Sequence, residues 1–233
     1  MKAYLEPGDI KKLESAATNT RDRLFIRILS RSGCRVSEAI QLTIDDIDLV
    51  NSRIIVHYLK KRVTANCPHC RSQLAKVHSY CPHCGKEIGM AVKIGVVGRI
   101  MRTLPVDGET LEMLERFIQK GGPVSKNGKQ TLFGFNRHRG WQIMRDCAKR
   151  AGLGNLVNTD TGKTRGVSPH RLRDAFAVNA IQKDNSGNGL IILQKHLGHA
   201  SFNTTARYRK IADEEHRQWY DKVWDKGEEE LGG

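Results

Sequence analysis

Two short cysteine motifs constrain the fold of this chain more than any other part of its sequence. They read Cys67-Pro-His-Cys70 and Cys81-Pro-His-Cys84, with ten residues between them. Two Cys-x-x-Cys pairs at such a separation supply four thiolates that can surround a zinc ion. Disulfides are the competing interpretation, but a chain that shows no export signal is expected in a reducing compartment, where disulfides seldom persist. The sequence therefore predicts a structural zinc ion held by Cys67, Cys70, Cys81 and Cys84.

The segments on either side of the cysteine motifs are predicted β-strands. Residues 52–59 are rich in β-branched side chains at alternating positions, and residues 90–106 form a second such run that ends near Pro105. The cysteine motifs lie between these two runs. The simplest geometry is a β-hairpin whose turn is replaced by a zinc ribbon, which we place at residues 62–92.

The overall charge of the chain indicates a polyanionic partner. Lysine and arginine number 39 against 25 aspartate and glutamate, a formal net charge of +14. A protein this basic most simply binds nucleic acid. No segment approaches the roughly 18 apolar residues of a membrane span, and the first residues contain no apolar signal-peptide run. We therefore expect a cytoplasmic protein without a membrane partner.

Most of the remaining chain has apolar residues at helical spacing. The predicted helices cover residues 10–17, 21–32, 35–42, 110–119, 141–151, 168–181, 190–197 and 204–224. Ser168 and Pro169 are a favoured cap and first residue for one of them, whereas Gly187 and Gly189 predict a loop. The predicted fold class is α+β, mainly helical, with a small antiparallel sheet.

Three short groups of polar residues carry the possible chemistry. Arg35 opens a predicted helix, His170 and Arg173 share one face of another, and Leu197-Gly198-His199 is followed nine residues later by Tyr208. Each group alone has an ordinary structural explanation, such as a solvated arginine or a core tyrosine. Their combination, in this order on a basic chain, needs a common explanation.

The combination resembles the tyrosine recombinase or phage integrase family. Arg35 matches its first arginine, His170 and Arg173 match its His-x-Leu-Arg motif, His199 its second histidine and Tyr208 its nucleophile. The resemblance implies the DNA breaking-rejoining enzyme fold over residues 1–233, with the zinc ribbon inserted in its hairpin. It also implies that no separate amino-terminal core-binding domain is present, because the chain begins close to the first catalytic helix.

The family chemistry transfers a phosphoryl group without metal or nucleotide. Tyr208 would attack the scissile phosphate, while Arg35, Arg173 and His199 would donate to its oxygens and stabilise the growing charge. His170 would accept the tyrosine proton, by analogy with the family. The product would be a 3′-phosphotyrosine whose ester energy is kept for rejoining.

The family also uses a lysine on the hairpin as the general acid for the leaving 5′-oxygen. Lys60 ends the first predicted strand at the expected distance beyond Arg35, and Lys61 and Lys93 are the other candidates. One departure is that Asp174 follows Arg173 where the family usually has histidine. The zinc, in a closed four-cysteine site, would be structural.

The resemblance implies a site-specific recombinase or integrase that acts on duplex DNA as a tetramer. A terminal helix with Trp219, Val223 and Trp224 on one face could pass between protomers or fold back onto its own domain. Two alternatives use the same residues differently. A type IB topoisomerase would nick and reseal one strand, and a non-catalytic DNA-binding regulator would keep only the fold.

Overall fold

A computed structural model describes residues 2–74, 79–88, 92–157, 162–209 and 220, with the backbone alone at 58–65, 73 and 92–100. The helices are α1 (Pro7–Ser15), α2 (Thr20–Ser32), α3 (Val36–Ala39), α4 (Gly108–Gln119), α5 (Arg137–Arg150), α6 (Pro169–Lys183), α7 (Gly187–Leu197) and α8 (Phe202–Ala206). The strands are β1 (Ile47–Asp48), β2 (Arg53–Asn66), β3 (Gln73–Leu74), β4 (Val92–Pro105), β5 (Val124–Lys126), β6 (Lys129–Thr131), β7 (Leu156–Val157) and β8 (Thr164–Arg165). The mainly helical α+β class is confirmed.

The predicted hairpin is present and is longer than expected. β2 and β4 pair antiparallel without interruption, from Arg53 opposite Pro105 to Asn66 opposite Val92. The first strand therefore continues seven residues beyond the predicted end at residue 59. β1 and β3 pair with the two ends of β2, which completes the small antiparallel sheet.

Local signals set several helix ends. The side chain of Asn19 accepts from the Asp22 amide at 2.8 Å and starts α2, and Gly33 ends it with φ of 58°. The predicted loop at Gly187 and Gly189 is wrong. Ser186 accepts from the Gly189 amide at 3.0 Å, and this cap starts α7 at Gly187.

The predicted helix over residues 204–224 is corrected in its first part. α8 ends at Ala206, and the Tyr208 amide donates to the Thr205 carbonyl at 3.1 Å, the pattern of a tight turn. Tyr208 therefore lies on a turn and not inside a helix. Trp219, Val223 and Trp224 lie outside the described residues.

Two hydrophobic clusters form the body of the protein. The larger combines α2, α5, the base of β2 and the start of α6, with Phe25, Ile54 and Phe133 fully buried. The smaller is formed by α6 and α7 and includes Leu193, Leu197 and Tyr208. Helix α6 contributes to both clusters, so it joins the elements that bear the predicted catalytic residues. Within the described ranges, no helix is long and apolar enough to cross a bilayer.

Candidate active site

Arg35 stands at the first turn of α3, held by a buried carboxylate. Its Nη1 donates to Glu38 Oε1 at 2.9 Å, and its backbone amide donates to Glu38 Oε2 at 2.8 Å. Its Nη2 reaches the Gly198 carbonyl at 3.3 Å. The side chain of Glu38 is 1% exposed, whereas that of Arg35 is 32% exposed. Glu38 and the Gly198 carbonyl therefore fix the guanidinium, while about a third of the Arg35 side chain remains exposed.

Arg173 lies beneath the same surface, on α6. Its Nη1 donates to the Gly33 carbonyl at 2.8 Å and its Nη2 to the Leu197 carbonyl at 2.7 Å. These two carbonyls end α2 and α7, so the guanidinium ties three helices together. Burial, with the nearby charge of Arg35, lowers the pKa of Arg173 to about 10.

Arg102, on β4, is a third arginine of the same cluster. Its Nη2 donates to Glu38 Oε2 at 2.7 Å and its Nη1 to the His196 carbonyl, and its side chain is only 11% exposed. Glu38 thus bridges Arg35 and Arg102. The base of the hairpin is joined to the helical body at this point.

Gly198, in the Leu-Gly-His motif, allows Arg102 to reach this position. It has φ of +65°, and a Cβ atom built on it would lie 2.7 Å from Arg102 Nη1 and 2.9 Å from Cζ. A side chain at this position would be strained by the backbone conformation, and its Cβ would require Arg102 to shift.

We expect Gly198→Ala to destabilise the fold and displace Arg102. Gly152 is a matched control, because it has the same φ of +65° with nothing within 4 Å of its added Cβ. Gly152→Ala should lower the free energy of unfolding by about 1–2 kcal/mol, the usual penalty of a left-handed conformation. Gly198→Ala should lower it further and weaken DNA binding, measured by urea unfolding and fluorescence anisotropy. Equal losses in the two variants would contradict a role for the close approach to Arg102.

His199 follows Gly198 and lies beside Tyr208. Its Nδ1 is 2.8 Å from the Thr205 hydroxyl, and its ring is nearly parallel to that of Tyr208, with centroids 6.4 Å apart. Burial, and then the charges of Arg173 and Arg35, lowers the pKa of His199 to about 4. His199 is therefore neutral near pH 7. A Thr205 hydroxyl that donates to Nδ1 leaves the ring proton on Nε2, where it can be donated to a ligand.

Tyr208 is 8% exposed, and its hydroxyl has two partners. It donates to Asp174 Oδ1 at 2.6 Å and accepts from Arg207 Nη2 at 3.2 Å. Burial and the hydrogen bond to Asp174 raise the pKa of Tyr208 above its ordinary range, although Arg207 opposes the shift. The hydroxyl is thus held in its protonated form.

His170 is placed differently from the other predicted residues. Its side chain is 67% exposed, and its Nδ1 is 3.9 Å from Asp174 Oδ1, beyond hydrogen-bond distance. The structure brings His170 to the edge of the group, next to the carboxylate that accepts a hydrogen bond from Tyr208.

Lys60 is described only by its backbone, which pairs with Gly98 in the hairpin. Val56 pairs with Arg102 and marks the level of the arginine cluster. Lys60 is four residues further along β2, about 14 Å at 3.4 Å per residue. Lys93 pairs with Ala65, nine residues beyond Val56 and about 31 Å away along the strand.

The cluster carries an excess of positive charge. Arg35, Arg102, Arg173 and Arg207 converge on this surface, and each of them lowers the pKa of His199. Buried Glu38 contacts Arg35 and Arg102, and buried Asp174 contacts the neighbouring Arg171. Planar guanidinium groups around a neutral histidine are suited to bind the oxygens of a phosphate.

The four cysteines form a separate cluster at the far end of the hairpin. All four Sγ atoms lie within 4.8 Å of one another, with Cys67 and Cys84 3.7 Å apart and Cys70 and Cys81 3.6 Å apart. Zn–S bonds of about 2.3 Å in a tetrahedron separate the sulfur atoms by about 3.8 Å. Disulfide bonding, at about 2.05 Å, does not fit, and the cysteines are unpaired. These four residues could hold one zinc ion.

The two cysteine turns have the same local geometry. The Arg71 amide donates to the Cys67 carbonyl and the Gly85 amide to the Cys81 carbonyl, both at 2.9 Å. Leu74 and Ile88 pack against the cysteines and form a small satellite core. The four sulfur atoms therefore lie at the centre of the packing in the segment that carries the cysteine motifs.

Sequence reasoning missed Arg102, Asp174 and Arg207. The sequence could have placed Arg102 on the buried face of its strand, because it is two residues from buried Leu104 and alternate strand residues share a face. Asp174 was noted only as a departure from the family pattern. Nothing in the sequence indicated that Arg207 contacts the hydroxyl of its neighbour.

Comparisons with known proteins agree with this arrangement. The sequence model described as "Phage integrase family" matches residues 3–88 and 86–215. Tyrosine recombinase XerD of Mycobacterium tuberculosis is 29% identical over 90% of this chain and 54% of its own length. Tyrosine recombinase XerA of Pyrococcus horikoshii is 25% identical over 94% of this chain and 60% of its own length. The chain thus spans little more than half the length of these relatives.

Two solved structures have the same fold. The crystal structure of XerA recombinase has a TM-score of 0.59 at 24% identity and covers 96% of this chain and 64% of its own. XerH site-specific recombinase, bound to its difH substrate in a pre-cleavage complex, has a TM-score of 0.61 at 20% identity. The match covers 96% of this chain and 55% of the XerH chain. The fold is that of a tyrosine recombinase catalytic domain. The chain belongs to the phage integrase family.

Proposed function

We propose that this chain cleaves and rejoins duplex DNA at specific sites, with Tyr208 as the nucleophile. The observation that carries the proposal is the convergence of Arg35, Arg102 and Arg173 around neutral His199, whose ring lies beside that of Tyr208. Together they could hold a phosphate whose two non-bridging oxygens face fixed donors. A tyrosine next to that phosphate could then attack the phosphorus.

The proposed reaction exchanges one phosphodiester for another. Tyr208 would form a 3′-phosphotyrosine, and the 5′-oxygen would leave with a proton from Lys60. The arginines would stabilise the charge that grows on the phosphate in the transition state. The tyrosyl ester retains the bond energy, so a 5′-hydroxyl can reverse the step without ATP. The zinc would stabilise the ribbon and take no part in the reaction.

The relatives favour a recombinase over the two alternatives. The matched relatives are named tyrosine recombinases, and one solved neighbour holds its DNA substrate. A nicked duplex that traps the cleaved strand tests the proposal directly, because a covalent adduct excludes the non-catalytic regulator. Relaxation of supercoiled DNA without a defined site would indicate a topoisomerase instead.

We expect Lys60→Ala to slow strand cleavage by about 10²–10⁴-fold, the usual contribution of a general acid. Along the hairpin, position 60 is nearer to Arg102 than position 93 is. Because successive strand residues alternate between the two faces, position 60 shares a face with Val56, the residue paired with Arg102, and position 61 does not. A substrate with sulfur at the 5′-bridging position has a leaving group that needs no proton. Lys60→Ala should therefore cleave that substrate at nearly the normal rate in single-turnover assays.

Lys61→Ala and Lys93→Ala are the matched controls for this prediction. Each removes one positive charge from the same hairpin, and each should cleave both substrates alike. Rescue by sulfur in either control, and not in Lys60→Ala, would move the general acid to that lysine.

The assembly and the domain arrangement stay predictions. Recombination of two duplexes requires four active sites, so we propose a tetramer on DNA. A catalytic domain over residues 1–233 with the ribbon at 62–92 likewise stays a prediction, as does a cytoplasmic location.

A further inference from the structure

We propose that Asp174, and not His170, accepts the proton of Tyr208 during strand cleavage. This inference rests on the function proposed above, in which Tyr208 is the nucleophile. It makes Asp174 a catalytic residue, because the carboxylate touches the reacting oxygen.

The geometry places the carboxylate directly on the hydroxyl. Tyr208 donates to Asp174 Oδ1 at 2.6 Å, a short bond typical of a charged acceptor. Arg171 donates to the other oxygen, Oδ2, at 3.4 Å. Asp174 is 4% exposed. The carboxylate therefore has one oxygen held by an arginine and the other directed at the nucleophile.

The neighbouring residues support the same assignment. Asp174 follows Arg173 on α6, so the proposed acceptor and a proposed phosphate ligand are fixed by the same helix. Arg207 Nη2, 3.2 Å from the tyrosine oxygen, would favour negative charge on that oxygen as the proton leaves. The phenol therefore has a proton acceptor on one side and a positive charge on the other.

His170 is one step further from the nucleophile. Its Nδ1 is 3.9 Å from the same Oδ1 atom, and its side chain is largely in solvent. That separation is beyond hydrogen-bond distance of the carboxylate that contacts the nucleophile.

In the proposed step, one phosphorus–oxygen bond forms and another breaks. The Tyr208 oxygen forms a bond to phosphorus while its proton moves to Asp174 Oδ1. The bond from phosphorus to the 5′-oxygen breaks, and that oxygen takes a proton from the general acid. Rejoining reverses each transfer, and Asp174 returns the proton to the departing tyrosine. Because the pKa of Tyr208 is raised, phenolate is scarce near pH 7, so the proton must leave as the new bond forms.

Asp174→Asn tests the proposal, since it keeps the shape of the side chain and removes the basic oxygen. Single-turnover cleavage of the nicked duplex should fall by about 100-fold or more. A 5′-bridging sulfur should not rescue it, in contrast to Lys60→Ala, because the defect lies in the attacking group. The remaining rate should rise about tenfold per pH unit between pH 7 and 9, as hydroxide replaces the lost base, while the wild-type rate changes less.

Asp174→His provides a second, independent readout if the asparagine variant does not fold. Imidazole can accept a proton only when neutral, so cleavage by this variant should fall below about pH 6.5. A merely structural role for Asp174 would lower the rate equally at every pH.

The proposal is overturned if Asp174→Asn cleaves normally, if sulfur restores its rate, or if the pH profiles of both variants match that of the wild type. Adduct formation by the wild-type protein keeps this outcome separate from the proposed function. A wild-type protein that forms no adduct refutes the function itself, whereas equal adduct formation by wild type and Asp174→Asn removes only the role of Asp174.

Discussion

Tyr208→Phe is expected to abolish the covalent protein–DNA adduct completely. The substitution removes one oxygen and keeps the ring, which packs with Leu193 and Leu197 in the smaller hydrophobic cluster. Arg207 loses one partner, but Arg35, Arg102, Arg173 and His199 keep theirs, so DNA binding should change little. A labelled nicked duplex, resolved on a denaturing gel, measures the adduct, and anisotropy measures binding.

Tyr80→Phe is the matched control for this change. Tyr80 is 62% exposed and lies between the two cysteine motifs. Removal of the Tyr80 hydroxyl should leave adduct formation unchanged. An undiminished adduct in Tyr208→Phe would refute Tyr208 as the nucleophile, and loss of DNA binding together with the adduct would indicate a damaged fold instead.

Replacement of Cys67 and Cys70 by serine is expected to abolish zinc binding, from one ion per chain to none. Four sulfur ligands close the site, and removal of two leaves too few thiolates for tight binding. The helical body should remain folded, because its large core shares no residue with the satellite core around the cysteines. Metal analysis of the purified protein and its thermal unfolding curve measure the two effects.

Cys147→Ser is the control for cysteine chemistry in general. Cys147 is buried in α5 and belongs to the large core, far along the chain from the ribbon. That variant should retain one zinc ion per chain. Zinc retained in the double variant would exclude the four-sulfur site, and unfolding of the whole chain would show that the ribbon and the helical body fold together.

The sequence predicted the elements better than their contacts. The two long hairpin strands, most helices and the cysteine cluster follow from local alternation, helical spacing and ligand chemistry, which act over a few residues, whereas the six short strands within the described residues were not predicted. The observed helix boundaries differ from the predicted ones where a side-chain cap sets the first residue. At Ser186, the cap starts α7 even though Gly187 and Gly189 follow it. Helix α8 ended early because Tyr208 lies on a turn.

The contacts of the site depend on tertiary packing. Arg102 joins Glu38 from 64 residues away, and Asp174 meets Tyr208 across 34 residues. Neither approach is visible in any local pattern. Family resemblance named the residues around the proposed phosphate, but only the fold shows that an aspartate contacts the tyrosine hydroxyl.

The unbroken pairing of β2 and β4 has a consequence for the segment that carries the four cysteines. This segment begins after Asn66 and ends before Val92, which are directly paired, so its two ends are about 5 Å apart. A segment whose two ends are adjacent adds little loop-closure entropy to the cost of forming the hairpin. It also leaves the strand register that positions Arg102 unchanged. The hairpin tip therefore tolerates exchange of the segment that it carries. Other small modules whose two ends are adjacent could occupy this position without disturbing the arginine cluster at the base.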